Sequence, residues 1–595
     1  MTTLHDLLWN LTADDLRYRL KFLNPGLKQT RKADLVDGIK AALAGPGLAA
    51  ALDALDETGR LAVMEAVHES SHRHLPTRFI AKYGRDAEFH LIEANARTFS
   101  SYPTPANATR LNVFFYSAGD RDSPVIPTDL VERLQTLVPV PTPYRVPCIS
   151  EPVAEDGLLI RLTESEALTE FGALLRLAAA GGLAFGPKTG IPAKNAITGI
   201  EASLVGGDWF PPELMRLEDA KPWEQEIGSI KSVGWTRMLQ VAGLVAMSGS
   251  KSVLTPQGRR AVEKPAWEAI AGIWRKWSTN KEYDEFSRID VIKGKTVKGA
   301  LTARVPRRSV ALAALTDCPA GEWMTFEGFS NYMRAKDFMF EVSTDPWKLY
   351  IADRQYGSLG YSGCAAWETL QDRYLLCWIM EYAATLGIVD IAYKKPGQAR
   401  PVDSWGMDDY SWLSRYDGLQ AFRINPLGAY ILSLGETPFQ PSHPAPQVRL
   451  KVLSNRTIHV VSGDLSATER LQLETWAERE GDGVFRLDDF RAIEAIETGQ
   501  EPEGFARFLE ERDDQPLPET ITAFLEQARF NGKAVRQSGY AILFECGNSF
   551  IAEEISQCKE VRAFCYRAGE TTLAVREESL NKFRKQVRSL GLGIR

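Results

Sequence analysis

Two stretches of this chain, roughly 170 residues apart, close in the same way. Val253-Leu254-Thr255-Pro256-Gln257-Gly258 and Arg423-Ile424-Asn425-Pro426-Leu427-Gly428 each run apolar, Thr or Asn, Pro, any residue, Gly. Each predicts a strand that ends in a turn and enters a terminal helix, with Pro in the first helical turn where its missing N–H costs little. Before the first end, AGLVAMSGSKSVL reads as two short strands around Ser248-Gly249-Ser250. Before the second, GIVDIAYKKPG and LQAFRI play that part, separated by a long insertion. Helical patterns precede both. The first set is TESEALTEFGALLRLAAA, ended by Gly181-Gly182, then a helix after KTGIP, then one holding Trp235, Met238 and Leu239. The second set starts near Arg307 and continues with Glu322–Met333 and Trp367–Leu386. The spacing is too long for a solenoid, so a duplicated module is expected.

The 595 residues suggest three to five domains at about 150 residues each. Fourteen Trp and 26 Phe suffice for several cores. The Pro-rich segments 138–147 and 438–447 mark boundaries. Residues 1–45 read as a helical hairpin broken at Pro25-Gly26, and 46–147 as a helical or winged domain with a strand over 110–116 (RLNVFFY). Modules follow at 148–285 and 306–437, joined by a basic linker at 286–305. Residues 448–595 alternate strands and helices as an α+β domain. The expected fold class is mixed, mainly α with α+β.

No run of about 18 apolar residues exists, so no membrane span is expected. The N-terminus lacks the pattern of a secretory signal. The seven cysteines form no CxxC pair, which fits reduced thiols in a cytoplasm and argues against a zinc ribbon. The net charge of −7 does not favour nucleic acid overall, but binding depends on local patches.

Leu254-Thr255-Pro256-Gln257-Gly258-Arg259-Arg260-Ala261 resembles the closing turn of winged-helix domains, where the strand pair forms the wing. Lys32-Ala33-Asp34-Leu35-Val36 resembles the second half of a SAP-like helical hairpin. Val460, Phe485-Arg486-Leu487, Ala492, Ala495, Gly499, Leu517-Pro518 and the strand at Tyr540 resemble the helicase-associated domain found with XPB-type helicases. The resemblance implies a motor-less bacterial companion of a helicase or nuclease, in DNA repair or antiphage defence. It also implies DNA association and a partner docked on the C-terminal domain.

Catalytic motifs are sparse. No GxxxxGK[ST] phosphate loop is present; the nearest string, Gly181, Gly186, Pro187, Lys188, Thr189, follows a helix rather than a strand. No GxSxG elbow occurs, and Cys377 and Cys565 read as core residues. His68-Glu69-Ser70-Ser71-His72 is a literal HExxH, which on a helix holds Zn²⁺ between the two His with Glu activating water. His74 and His90 are available as further ligands. Ser70-Ser71 and Pro76 instead end the helix there, leaving a solvated C-terminus.

The basic segments carry the functional expectation. KGKTVKGALTARVPRR holds Lys293, Lys295, Lys298, Arg304, Arg307 and Arg308 with no acid, between the two modules, where it would follow a phosphate backbone. Lys188 and Lys194 flank the start of a candidate recognition helix, and Lys251, Arg259 and Arg260 flank the wing. Arg17, Arg19, Lys21, Lys28, Arg31 and Lys32 form an N-terminal patch diluted by Asp14, Asp15 and Asp34, with Lys28, Arg31 and Lys32 as its expected contacts. Lys582, Arg584, Lys585 and Arg588 read as a solvated helix face. Trp267, Trp274 and Trp277 are expected to pack between modules. The leading expectation is a non-catalytic, cytoplasmic subunit, without cofactor or metal, binding duplex or forked DNA and recruiting a helicase or nuclease. The alternatives are a protein-only scaffold and a zinc hydrolase at His68 and His72.

Overall fold

The computed structural model describes residues 3–595 apart from 27–29, 90–108, 118–122, 155–156, 212–226, 263, 362–365, 398–399, 401–411, 435–438, 440–447, 463–464, 466, 482, 514 and 536–539. It is mixed α/β with several small antiparallel sheets. It divides into two compact units, residues 1–445 with 466–468, and residues 446–465 with 469–595. No single described helix is long and apolar enough to cross a membrane.

The first unit opens with α1 (Leu4–Trp9), α2 (Ala13–Leu23), α3 (Lys32–Ala44), α4 (Gly47–Asp53), α5 (Glu57–His68), α6 (Pro76–Tyr83) and α7 (Thr128–Gln135). Thr3 and Thr12 start α1 and α2 through capping boxes with Asp6 and Asp15, which satisfy otherwise orphaned amides. One apolar core runs from Leu4 to Val138 and includes Leu16, Leu20, Leu35, Ile39, Val63, Phe79 and Leu134. The expected hairpin over 1–45 therefore shares its core with the residues that follow it. The strand expected over 110–116 is a 3-10 turn, Arg110–Val113, capped by Thr109 and Asn112. Leu111 to Tyr116 are all buried, and burial on every side overrides their β propensity.

The rest of the unit comprises β1 (Cys148–Ile149), β2 (Leu159–Arg161), α8 (Thr163–Ala179), α9 (Lys194–Ala202), α10 (Lys231–Val241), β3 (Val245–Ser248), β4 (Lys251–Leu254), α11 (Pro256–Val262) and α12 (Ala266–Ser278). Then come β5 (Ile292–Lys293), α13 (Arg304–Thr316), β6 (Trp323–Thr325), α14 (Phe326–Ala335), β7 (Tyr350–Ile351) and α15 (Trp367–Cys377), which continues as a π-helix over Trp378–Ala383. β8 (Val389–Tyr393), β9 (Leu419–Ile424) and α16 (Pro426–Ile431) complete it. The five-stranded sheet has the order β1-β6-β9-β8-β2, and β3 pairs β4 as a separate hairpin. Gly249, at φ 62°, makes the tight turn of that hairpin, a conformation that glycine adopts without strain.

The two repeat ends are built alike. Thr255 Oγ1 accepts from Gly258 N at 3.0 Å, and Asn425 Oδ1 accepts from Gly428 N at 2.9 Å. A Cβ at Gly258 would stand 2.0 Å from Leu244 O, and one at Gly428 would stand 1.9 Å from Ile388 O. Only glycine lets each helix start lie against the strand that opens its hairpin. The similarity extends upstream, where Gly243 (φ 67°) and Gly387 (φ 70°) each end a third helix.

Those third helices are packed together. Gly234 gives α10 a close approach, for a Cβ there would come 2.2 Å from Glu381 O. Arg237 donates to Tyr382 Oη at 2.8 Å, and Trp209 Nε1 donates to Met380 O at 3.0 Å. Trp277 stacks on Tyr382 at 4.2 Å, and Trp274 meets Trp378 at 5.5 Å. Lys231 to Leu239 and Thr369 to Ala383 are buried throughout. The two modules thus share one core, running from Val146 to Leu432.

The second unit holds two smaller cores. The first wraps β10 (Arg449–Val452), β11 (Thr457–Ser462), α17 (Ala467–Trp476), β12 (Ala477–Gly481) and β13 (Val484–Leu487), with α18 (Asp489–Glu497), α19 (Pro502–Glu510) and α20 (Glu519–Gly532). Its sheet order is β10-β11-β13-β12. The second comprises β14 (Ala541–Glu545), α21 (Ser549–Gln557), β15 (Cys565–Arg567), β16 (Thr572–Arg576) and α22 (Leu580–Ser589), with sheet order β14-β16-β15. Phe583 and Val587 face inward on α22, leaving Lys582, Arg584, Lys585 and Arg588 on its solvated side.

Candidate nucleic-acid interface

The most basic stretch in the sequence is largely consumed by folding. Arg307 and Arg308 are each 1% exposed. Arg307 binds Asp284 at 2.5 Å, and Arg308 binds Glu285 at 2.5 Å while lying over Trp277. Arg304 reaches Asp284 at 3.4 Å and donates to Lys281 O. Lys295 donates to Ser287 O and Ile289 O at 3.1 and 2.6 Å, and burial pushes its ammonium down to about 8. The expected phosphate contacts at Arg307 and Arg308 are therefore corrected: both are core cations. An unpaired guanidinium in that interior would be very costly, and Asp284 and Glu285 supply the counter-charge. Nor is 286–305 a loose linker, because Ile289, Val291, Ile292 and Ala300 are buried. Lys293 and Lys298 remain exposed.

The turn before α9 is closed by Gly190 N donating to Gly186 O at 2.8 Å, and the helix begins only at Lys194. The backbone there is not a phosphate loop. Lys188 and Lys194 are exposed on either side of this turn. Its carbonyls are held from α10, by Arg237 on Thr189 and Gln240 on Pro187. Lys251 is exposed in the hairpin, its stem against Gly181. Arg31 is exposed, whereas Lys32 donates to Trp9 O at 2.7 Å over the Trp9 ring. Lys28 lies outside the described residues.

A different cationic cluster forms where α11 and α12 meet. Arg260, Lys264, Arg275 and Lys276 line a cleft of about 280 Å³, with Gln257, Glu268 and the small residues Ala261, Ala269 and Gly272. Ile270, Ile273, Trp274 and Trp277 hold the inner face of α12, which turns Arg275 and Lys276 outward. Arg259 projects from the preceding helix and is exposed as well. Lys276 donates to Ala242 O and to Gln257 Oε1 at 3.1 Å, which fixes the back of the cleft. Among the described residues, none of Arg259, Arg260, Lys264, Arg275 and Lys276 is in an ion pair. From Lys251 to Lys281 the chain carries seven basic residues against two acids, a reversal of its overall sign. Sequence reasoning found Arg259 and Arg260 but missed Lys264, Arg275 and Lys276. The signal was present in IWRKW, where the tryptophans drew attention and the outward pair between them did not.

The HExxH string does not form a helical zinc motif. α5 ends at His68, and His72 adopts φ 53° in the turn beyond, so the two rings are not one helical turn apart on one face. His74 is a core residue, bonded to Asp86 at 2.8 Å among Phe79, Phe89 and Phe115, and burial lowers its pKa. His90 lies outside the described residues. Among the described residues no three His, Cys, Asp or Glu side chains cluster as a metal site. Burial raises the thiol pKa of Cys377 and of Cys565, which suits core cysteines rather than nucleophiles. No protein-family model matches the chain, and no curated protein matches it.

Proposed function

We propose that this chain is a non-catalytic DNA-binding subunit, working in the bacterial cytoplasm with a helicase or nuclease in repair or antiphage defence. Its phosphate-contacting surface is the α11–α12 cleft, with Arg259 and the exposed lysines Lys188, Lys194 and Lys251 of the same module. The observation that carries this reading is a cleft of four basic residues and one acid, the four in no ion pair among the described residues, in a chain of net charge −7. Such a cluster costs self-repulsion and is best offset by a polyanion.

The winged-helix reading of the modules is supported by element order. Leaving aside β7, which pairs outside the sheet, α13, β6, α14, α15, β8 and β9 run helix, strand, helix, helix, strand, strand, and their strands lie in the order β6-β9-β8. In such modules the third helix usually enters the major groove. Here both third helices are buried against each other, so contact runs through the periphery and through phosphates, with little base readout expected. Duplex and forked DNA titrated at two salt concentrations test this directly. Binding that weakens steeply with salt supports it, and a flat response removes it.

A protein-only scaffold is the second reading, favoured by the outer face of the β14-β16-β15 sheet. Leu543, Ala574 and Tyr566 stand in one cross-strand row there, with Leu543 64% and Tyr566 58% exposed. That face suits the partner subunit under either reading. Failure to bind either DNA would leave the scaffold as the better account.

A further inference from the structure

The lysines left exposed in the consumed stretch border a second feature. β5 pairs with β7, placing Lys293 opposite Tyr350. The loop around β7 is anchored by Val342, Leu349, Ile351 and Leu359, all buried. It carries Trp347, Tyr356 and Tyr361 outward, at 60%, 68% and 46% exposure. Large aromatic rings are ordinarily buried, so three on one loop call for a reason.

The Trp347 and Tyr361 rings are held against the loop, and the backbone beneath Tyr356 is fixed. A Cβ at Gly360 would stand 2.1 Å from Trp347 Cδ2, so the indole lies directly on the Gly360 backbone. Tyr361 meets Trp347 edge-on at 5.1 Å, and its hydroxyl donates to Gln355 O at 3.2 Å. Asp353 accepts from the amides of Gln355 and Tyr356 at 2.8 and 2.7 Å, which fixes the base of Tyr356. Thr344 Oγ1 and Lys348 Nζ both donate to Gly299 O, tying the segment that carries Lys298 to the same loop.

The charge around these rings is positive. Lys293, Lys298 and Arg354 are exposed and in no ion pair among the described residues. Asp345 is neutralised by Lys348 at 3.3 Å, and Asp353, bonded to the amides of Gln355 and Tyr356, keeps its charge but is outnumbered by the three cations. Rigid exposed rings beside unpaired cations match a strand whose bases are free to stack and whose phosphates need neutralising. A duplex hides its base faces, so the complementary ligand is single-stranded.

We propose that the β5–β7 loop is a stacking platform for single-stranded nucleic acid, with Trp347 and Tyr356 taking bases and Lys293, Lys298 and Arg354 taking phosphates. This surface shares no residue with the α11–α12 cleft, so duplex and single-strand binding are tested by different substitutions.

The test uses the full chain and a fluorescent oligothymidine of about 12 nucleotides, followed by anisotropy. Trp347→Ala should weaken binding about tenfold or more, and Trp347→Phe should retain most of it. Tyr356→Ala, at a ring that touches no other aromatic residue among the described residues, should weaken it without affecting the melting temperature. Lys293→Glu with Lys298→Glu should weaken binding and flatten its salt dependence. Affinity for blunt duplex should stay unchanged in Trp347→Ala. The proposal is overturned if the oligonucleotide does not bind, or if binding survives both Trp347→Ala and Tyr356→Ala unchanged.

Discussion

Residues 293–308 and residues 251–281 are both basic in sequence, yet they end differently. The first holds six cations and no acid, and folding takes most of them. Arg307 and Arg308 go to Asp284 and Glu285, Arg304 to Asp284 and Lys281 O, and Lys295 to two backbone carbonyls. The second holds acids, including Glu268, and still presents Arg259, Arg260, Lys264, Arg275 and Lys276 to solvent. Charge along a chain is not charge on a surface. What decides is whether a counter-charge arrives from elsewhere, and here it arrives from a segment 23 residues upstream.

The largest test of this contrast is Arg308→Ala. It strands Glu285 in the core and should cost about 3–5 kcal/mol in urea unfolding. Arg260→Glu, on the cleft, should change stability by less than about 0.5 kcal/mol. Equal effects would erase the distinction. Lys295 sharpens it through pH. Its folded pKa, about 8, lies below the ordinary 10.5, because burial disfavours the charged form. The protonated side chain therefore costs stability at every pH below about 8, and that cost fades as pH rises towards 10.5. Relative to Lys295→Met, the natural protein should gain on the order of 2–3 kcal/mol across that window. Parallel stability curves would place Lys295 in solvent instead.

The seam that buries this stretch has its own probe. Gly234→Ala drives a methyl towards Glu381 O, at 2.2 Å in the unrelaxed geometry, and should cost about 1–3 kcal/mol. A neutral result would mean that the third helices are not in contact. The smallest effect is expected at the remaining exposed pair: Lys293→Glu with Lys298→Glu should leave stability within about 0.5 kcal/mol.

The sequence carried the parts of the fold that depend on local chemistry. Thr255-Pro256-x-Gly258 and Asn425-Pro426-x-Gly428 announced their turns because capping, Pro placement and a glycine without room for Cβ are local demands. The α+β alternation after 448 was legible for the same reason, with Gly499 (φ 93°) closing α18. Long-range contacts were not legible. RLNVFFY looks like a strand until burial on all sides makes it a turn. The helix with Trp235, Met238 and Leu239 was expected, but not that its polar side would also be buried. Gly234 leaves room for the facing backbone, while Ser232 is satisfied by Asp208 and Thr236 by the Ser232 carbonyl. The helix end announced by Ser70-Ser71 and Pro76 is local in the same way as the turns, and α5 stops at His68. At the candidate interface, Arg259 and Arg260 were found, while Arg275 and Lys276 were hidden by the tryptophans beside them.

The most direct test of the account is a duplex-DNA titration between about 50 and 200 mM salt, comparing two charge-reversed proteins. One carries Arg260→Glu, Lys264→Glu and Arg275→Glu; the other carries Lys293→Glu and Lys298→Glu. The first should lose about tenfold or more in affinity and about one unit of salt slope per lost phosphate contact, while the second stays near the natural protein. Unchanged duplex binding in the cleft variant, or no salt-sensitive binding by the natural protein, would contradict it.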